Sequence, residues 1–338
     1  MKSLTSVSAL LLGLSLMFVS ACGNSPAGNP QSSGAPSESK PAPAAASPTT
    51  IKVGLVCGGM TPLLTQIGIN DGSFEKAGLK IEKTCFNAGA DAVQALVGGS
   101  IDINLGSYEH VLRQQKNGLD VKVYGEIYNG VGYALVVKKE APYQKLSDLK
   151  KTTLAVTKVG SLSDTGLRAG LEKDGVSAEK DVQIINGGSG ATMLAAIESG
   201  KAAGGMVSEP TTAQMLASGN YRILYDPPFE YAGIVIMAKS EWAAGHKDAM
   251  KAFLKVNHDV NERAQKDPQS AVEPMLKEFD KIPQDILLTA IKNQLPKVPA
   301  GLKITKAAAD MVVSTQLELG AISKEIPFDK TVDLTLLP

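Results

Sequence analysis

Two short polar clusters carry the residue types best suited to binding or transforming a small molecule. Residues 161–164 (SLSD) open a predicted helix, and residues 208–210 (SEP) follow a predicted strand. In the first cluster, the spacing of serine and aspartate is that of a helix cap. Free helix N–H groups beside the Ser161 and Ser163 hydroxyls would also hold an anion. Glu209 in the second cluster suits a cap or a hinge contact, and its carboxylate also suits hydrogen bonds from a ligand.

The usual motifs of several enzyme classes are missing from this sequence. It contains no P-loop, no paired-histidine zinc motif and no nucleophile elbow. Residues 187–190 (GGSG) lack the lysine of a phosphate loop, so a structural turn is favoured over a phosphate cradle. His110, His246 and His258 are scattered along the chain, and the last two are expected on helix surfaces. We therefore predict no catalytic residues, no metal site and no cofactor.

The elements that position the polar clusters form two similar α/β halves. Residues 81–109 are predicted to form a strand, a helix and a second strand. Residues 182–209 repeat that pattern 101 residues later, so that Ser107 corresponds to Ser208. Strand–helix–strand units form parallel pairs with right-handed crossovers, and open α/β sheets bind ligands at the carboxyl ends of their strands. The sequence therefore predicts an α/β fold with a ligand cleft between two halves.

Composition is consistent with a soluble α/β protein. The chain has 338 residues, of which 43% are hydrophobic, with 34 basic and 34 acidic side chains. This length is enough for one or two domains with substantial cores. Because nucleic-acid-binding proteins usually carry a basic patch, a net charge of zero gives no reason to expect nucleic acid as a partner.

The N-terminal region is predicted to direct export. Residues 1–21 contain Lys2 and then an apolar run that is too short for a comfortable transmembrane helix, as in a secretory signal. The run ends in VSAC, which resembles the bacterial lipobox with Cys22 as the lipidated residue. The alternative is an ordinary signal with a chance cysteine. Residues 22–50, dominated by Ser, Pro, Ala and Gly, are predicted to be a disordered tether because they cannot bury a core.

Cys57 and Cys85 follow two strands that are expected to be neighbours. With Cys22 lipidated, they are the remaining cysteines of a protein exported to an oxidising compartment, which favours a disulfide between them. Two small buried thiols are the alternative. A metal site that includes His110 is a third option, although the spacing is not that of metal ligands.

Several stretches together resemble the extracytoplasmic solute-binding lipoproteins of ABC importers. The resemblance is to the nitrate, sulfonate and taurine branch, which also includes thiamine-precursor binders. The stretches are the lipobox at Cys22, IKVGLV from residue 51, AGLKIE from 77, AGADAVQALVGGSIDINLGS from 88, LSDLKK from 146 and ESGKAAGGMVSEP from 198. In the last stretch, Ala203 and Gly204 replace the acidic turn residue that is usual in the family.

The resemblance implies a two-lobed periplasmic binding protein fold that is type II-like. Each lobe would be a mixed, mostly parallel sheet flanked by helices, with two hinge crossings near Lys138 and Phe229. We assign residues 51–138 and 231–338 to lobe 1 and residues 139–230 to lobe 2. The strand-end turns are carried over as ligand contacts, and Tyr231 is added as a wall of the site. The candidate ligand-binding residues are Gly59, Met60, Thr61, Gly89, Ala90, Ser107, Tyr108, Gly160, Ser161, Gly188, Ser189, Ser208, Glu209 and Tyr231.

The function implied by the resemblance is capture of one small solute and its delivery to an ABC permease. The protein would be an exported monomer with a lipid anchor in the membrane. An oxyanion would use the helix start at Ser161, whereas a nitrogenous heterocycle or amine would use tyrosines and Glu209; the second class is slightly favoured. A sensory binding protein would have the same sequence features. An enzyme like the pyrimidine-precursor synthases is less favoured, because this chain lacks their Cys/His-rich motif.

Overall fold

A computed structural model describes residues 47–338. The predicted signal, Cys22 and most of the predicted tether lie outside this range. The tether was predicted to extend to residue 50, but Thr49 and Thr50 already pair with the neighbouring strand. The strands are β1 (Thr49–Val56), β2 (Leu79–Phe86), β3 (Ile103–Gly106), β4 (Val121–Asn129), β5 (Ala134–Lys138), β6 (Thr153–Val156), β7 (Gln183–Asn186), β8 (Gly204–Val207), β9 (Tyr221–Tyr225) and β10 (Ala232–Lys239).

Helices follow most of these strands. They are α1 (Leu63–Asn70), α2 (Ser73–Lys76), α3 (Gly89–Gly98), α4 (Tyr108–Lys116), α5 (Leu162–Lys173), α6 (Ala191–Glu198), α7 (Thr211–Ala217), α8 (Ser240–Gly245), α9 (Lys247–Lys266), α10 (Val272–Leu276), α11 (Gln284–Gln294), α12 (Lys306–Glu318) and α13 (Phe328–Thr331). Short 3-10 helices span Leu146–Leu149, Pro268–Ala271, Leu295–Lys297 and Ala300–Leu302. None of the helices between residues 47 and 338 is both long and apolar enough to cross a membrane.

The first sheet has the strand order β2-β1-β3-β10-β4. β1 is parallel to β2 and β3, and β10 is antiparallel to β3 and β4. Ile51, Val53 and Leu55 of β1 are fully buried, as expected for a β-branched and apolar strand inside a covered sheet. We call the unit built on this sheet the first lobe.

The second sheet repeats that arrangement in the order β7-β6-β8-β5-β9. β6 is parallel to β7 and β8, and β5 is antiparallel to β8 and β9. The repeat in the sequence thus corresponds to two sheets with the same topology. We call the unit built on this sheet the second lobe.

The chain crosses between the two lobes twice, and each crossing leads into an internal antiparallel strand of the other sheet, first β5 and then β10. β4 lies in the first sheet and β5 in the second, so the first crossing is at residues 130–133; the second, at residues 226–231, joins β9 to β10. The prediction that residues up to 138 belong to lobe 1 was wrong for β5. The apolar run of β5 suits burial in either sheet, and its partners β8 and β9 are distant in the sequence. The turn is made by Gly130 and Gly132, both with positive φ.

Candidate functional site

The two sheets meet at the carboxyl ends of their parallel strands. In the first lobe, β1, β2 and β3 are followed by α1, α3 and α4; in the second lobe, β6, β7 and β8 are followed by α5, α6 and α7. The turns between strands and helices therefore face one interlobe region, which we call the cleft. In open α/β sheets this edge supplies backbone N–H groups to ligands.

Turns from the two lobes are hydrogen-bonded directly to each other across the cleft. The Ser189 hydroxyl donates to the carbonyl oxygen of Cys57 at 2.7 Å. The backbone N–H of Ala90 donates to the Ser161 hydroxyl at 3.1 Å. The backbone N–H of Met60 donates to the carbonyl oxygen of Glu209 at 2.7 Å. The structure is therefore a closed arrangement of the lobes, in which several predicted ligand-binding residues contact one another.

Two further contacts between lobes involve charged side chains. Lys158 of the second lobe forms an ion pair with Asp91 of the first. Arg113 Nη1 of the first lobe donates to the carbonyl oxygen of Gly160 at 2.6 Å. Lys158, considered above as an anion-binding residue, is thus paired with a carboxylate in the closed arrangement.

Glu109 lies fully buried where α4 of the first lobe meets α5 of the second. Its Oε1 accepts a hydrogen bond from Thr165 of the second lobe at 3.1 Å, and its Oε2 accepts one from the Tyr231 hydroxyl at 2.9 Å. Arg113 Nη2 lies 3.5 Å from Oε1. Burial raises the pKa of Glu109, and the Arg113 charge opposes that shift. No sequence motif marks this junction, so it was not predicted from the sequence.

Two tyrosines expected at the site pack into the interior. Tyr231 has no exposed surface, and burial followed by the adjacent Glu109 carboxylate raises its pKa well above the ordinary value. Tyr108 is also fully buried, and its hydroxyl lies 2.5 Å from Thr331 Oγ1 within the first lobe. In this closed arrangement neither ring forms an exposed wall of the cleft, and contact of either residue with a solute stays a prediction.

Glu209 joins the two lobes through its side chain as well as its backbone. Its Oε2 accepts a hydrogen bond from the N–H of Ala213 in α7 at 3.0 Å. Its Oε1 accepts one from Asn293 Nδ2 in α11 at 2.9 Å. The carboxylate therefore acts both as a cap for the start of α7 and as a bridge between lobes.

The SLSD cluster at the start of α5 is organised differently from the predicted cap. Ser161 makes no capping hydrogen bond within α5 and instead accepts the bond from Ala90. Asp164 accepts hydrogen bonds from the N–H of Gly160 at 2.8 Å and from Arg168 Nε at 2.7 Å. The Ser163 hydroxyl is bonded to Thr157. Because Arg168 pairs with it, the Asp164 carboxylate does not stand free in the cleft.

The remaining predicted contacts are close-fitting parts of the strand ends. A Cβ atom added to Gly59 would lie 2.6 Å from Ser208 Oγ, and one added to Gly190 would lie 2.8 Å from the carbonyl oxygen of Gly58. Met60 is fully buried in the core, and Gly188 donates to a carbonyl of its own lobe. Glycine is needed at positions 59 and 190 because the lobes touch there.

Three buried polar atoms near the end of β3 have no hydrogen-bond partner among the described residues: Asn104 Oδ1, Ser107 Oγ and His110 Nε2. A Cβ atom added to Gly89 would lie 3.0 Å from His110 Nε2, which places this group beside the start of α3. Burial, followed by the Arg113 charge, lowers the pKa of His110 to about 3, so its imidazole is neutral at neutral pH. From the sequence, His110 was considered only as a metal ligand and was not among the candidate ligand-binding residues.

Cys57 and Cys85 are joined by a disulfide, with their Cα atoms 5.3 Å apart. The bond connects the ends of the parallel neighbours β1 and β2, because Leu55 is in register with Cys85. The disulfide is the pairing that the sequence favoured. Because both thiols are used in it, neither cysteine is available as a metal ligand. The disulfide fixes the Cys57 turn, whose carbonyl oxygen accepts the interlobe hydrogen bond from Ser189.

The family of the chain follows from its sequence. Residues 64–271, more than half of the chain, match the NMT1/THI5-like family. This chain belongs to the NMT1/THI5-like family. A protein of Brucella abortus (strain 2308), whose name assigns it provisionally as a binding protein, is 27% identical to this NMT1/THI5-like chain over 262 residues, covering 75% of this chain and 78% of the relative.

Solved structures share the fold of this NMT1/THI5-like protein. The periplasmic aliphatic sulphonate binding protein SsuA from Escherichia coli is similar with a TM-score of 0.67 at 19% identity, over 84% of this chain and 97% of SsuA. The periplasmic nitrate-binding protein NrtA from Synechocystis PCC 6803 is similar with a TM-score of 0.68 at 15% identity, over 86% of this chain and 87% of NrtA. These findings confirm the predicted family resemblance and the two-lobed periplasmic binding protein fold, which this chain shares with binding proteins.

Proposed function

We propose that this protein is the solute-binding component of an ABC importer. It captures one small organic solute or oxyanion in the cleft and delivers it to a permease in the membrane. The observation that carries the proposal is the set of hydrogen bonds between strand-end turns of opposite lobes, Ser189 to Cys57, Ala90 to Ser161 and Met60 to Glu209. Such contacts exist only when the lobes are closed.

Closure explains how a solute is retained. A hydrogen bond of this kind contributes about 0.5–1.5 kcal/mol net, because the same groups bond to water when the lobes are apart. Three such bonds give a closed state that a bound solute can favour further through its own contacts with both lobes. Polar atoms for such contacts are supplied by Ser107 and His110, which have unpartnered atoms beside the start of α3.

The site is proposed to bind its solute without transforming it. The cleft cations are paired with carboxylates: Lys158 with Asp91, Arg113 with Glu109 and Arg168 with Asp164. His110 is neutral at neutral pH, and no carboxylate of residues 47–338 is hydrogen-bonded to it. Delivery to the importer also requires the export and lipid anchoring expected from Cys22, and we propose that the protein acts as a monomer on the outer side of the membrane.

Thermal unfolding of the full chain against a panel of solutes tests the proposal. The panel contains sulfonates, nitrate, bicarbonate, pyrimidines, amines and flavins. A solute present at about one hundred times its Kd stabilises the folded state by about 2.7 kcal/mol, which raises the melting temperature measurably. We expect a hit that is recovered chemically unchanged and that decreases the radius of gyration in small-angle scattering. A hit that is converted to product would contradict the proposal.

A further inference from the structure

A groove separate from the cleft lies beside the two chain crossings. Its volume is about 570 Å³, and it is lined by both crossing segments, by α7 of the second lobe and by the end of α11 with the 3-10 helix after it. We call it the crossing groove. The residues of the Ser189–Cys57 and Ala90–Ser161 bonds across the cleft do not line this groove. Glu209, which accepts the bond from Met60, borders both sites.

The charge of the crossing groove is predominantly negative. Its lining includes the carboxylates of Glu209, Asp226 and Glu230 and one cationic side chain, Lys297. Glu209 is occupied by Ala213 and Asn293, whereas Asp226 and Glu230 form no hydrogen bond or ion pair with any described residue. Two carboxylates are therefore available to a ligand.

Neighbouring titratable groups are consistent with this negative potential. Burial raises the pKa of Asp226, and the Lys297 charge opposes that shift. The pKa of the buried Glu126 is raised to about 9, first by burial and then by the negative charge of Glu230. A positive ligand charge beside Glu230 would offset that negative charge and lower the pKa of Glu126.

The walls of the crossing groove offer apolar contact and one buried acceptor. Tyr128, Tyr133 and Phe229 line it, and aromatic rings attract organic ammonium groups through cation–π interactions. Gln294 also lines it and is 3% exposed, yet its Oε1 has no hydrogen-bond partner among the described residues. A buried amide oxygen without a partner is costly, and an N–H donor from a ligand would satisfy it.

We propose that the crossing groove binds a small organic cation with an ammonium head and an apolar body. The head pairs with Asp226 and Glu230, and one of its N–H groups donates to Gln294, while the body packs against the aromatic rings. Thr212 of the second lobe and Asn293 of the first both line the groove, so a cation that occupies it lies between the lobes. Its binding is therefore coupled to the arrangement of the lobes and, reciprocally, to solute binding in the cleft.

Isothermal titration calorimetry on the full chain tests the proposal with 2-phenylethylammonium as the probe. The uncharged comparison is 2-phenylethanol, which has the same body. The test variant is Asp226→Asn with Glu230→Gln, and the matched control is Glu241→Gln with Asp248→Asn, which removes two exposed carboxylates elsewhere. We expect the ammonium to bind roughly tenfold more tightly than the alcohol, which is the effect of two partly exposed charge contacts. The test variant should bind the ammonium roughly tenfold more weakly than the natural chain. The control variant should bind it with unchanged affinity.

A second variant, Gln294→Leu, checks the acceptor separately. We expect this substitution to weaken binding of the ammonium probe more than binding of its trimethylammonium analogue, which has no N–H to donate. The proposal is overturned if the ammonium does not bind, if it binds no better than the alcohol, or if binding is unchanged in the test variant. Binding lost in Ser107→Ala but retained in the test variant would also overturn it, because the probe would then occupy the cleft.

Discussion

Ser107 and Ser163 are buried serines of the first and second lobes with opposite hydrogen-bond environments. Ser107 Oγ has no partner among the described residues, whereas Ser163 Oγ is 3.0 Å from the N–H of Thr157 and 2.8 Å from its hydroxyl. The sequence gives no reason to distinguish them, since each is a serine near a strand end. Their different partners indicate that Ser107 is available to a solute and that Ser163 stabilises its own lobe.

We expect Ser107→Ala to weaken solute binding without lowering the free energy of unfolding. A lost hydrogen bond to the solute costs about 1–3 kcal/mol in affinity, while removal of an unpartnered buried hydroxyl costs the fold nothing. Ser163→Ala, the matched control, should lower the free energy of unfolding by about 1–3 kcal/mol because it leaves Thr157 without its partner. Calorimetry and urea unfolding measure the two quantities. Equal loss of stability in both variants would contradict the assignment of Ser107.

At the scale of elements, the turns after the strands decide how the lobes meet. The turn before α6 brings Gly190 against Gly58 of the turn after β1, so closely that a Cβ at position 190 would contact the Gly58 carbonyl oxygen. Both turns are held by their strands, and the second is also held by the disulfide from Cys57 to Cys85. The fit between these turns therefore requires glycine at position 190.

We expect Gly190→Ala to hinder closure and to weaken solute binding. Gly190 has a φ of 53°, so alanine is strained there in addition to the contact with Gly58. Gly200→Ala is the matched control, because its φ is 76° and an added Cβ would meet no atom within 4 Å. Each variant should lose about 1 kcal/mol of stability from the left-handed backbone, but affinity should fall only in Gly190→Ala. Calorimetric Kd values that rise equally in both variants would refute the role of this turn.

The disulfide between β1 and β2 should stabilise the folded chain. It links residues 28 apart in the sequence, and closing a loop of that size contributes about 3–4 kcal/mol in the chain-entropy description. We expect reduction to lower the urea midpoint of the natural chain accordingly. The same reductant should not change the midpoint of a Cys57→Ser/Cys85→Ser variant, which has no disulfide to reduce at these positions. Intact mass after alkylation provides the independent check: both cysteines should react only after reduction.

At the scale of the whole molecule, the two lobes are built on sheets of the same topology. The first chain crossing leads into β5 of the second sheet, and the second crossing leads into β10 of the first sheet. β5 and β10 occupy the same place in the two sheets, antiparallel to both neighbours. Buried ionisable groups in this framework, including Glu126 and His110, make global stability depend on pH. Glu126 is fully buried with both carboxyl oxygens unpartnered, and its pKa is about 9.

We expect the free energy of unfolding to fall as pH rises from 7 to 9. The unfolded chain has already lost the Glu126 proton above its ordinary pKa, whereas the folded chain retains it until about pH 9. Fewer protons on the unfolded chain give a negative slope, at most about 1.4 kcal/mol per pH unit. The lowered pKa of His110 acts in the opposite direction, but only below about pH 6.5.

Glu126→Gln isolates that contribution. The variant should be more stable than the natural chain at pH 9, and the difference between the two should shrink towards pH 5. Glu241→Gln, which changes an exposed carboxyl group, should leave the slope unaltered. Urea unfolding at five pH values measures these slopes, and a Glu126→Gln profile parallel to the natural one would show that Glu126 is already ionised.

The local pattern of the sequence determined the α/β class, the repeated strand–helix–strand units and the strand-end turns. Those features depend on apolar periodicity and on the placement of glycine within short segments. Both are local properties of the sequence that do not depend on where the segment packs. The tertiary structure alone decided that β5 belongs to the second sheet, that Glu109 joins α4 to α5, and that Tyr108 and Tyr231 point into the interior. Each of these depends on partners far away in the sequence, such as Thr165 for Glu109, and on which face of an element the surrounding packing covers.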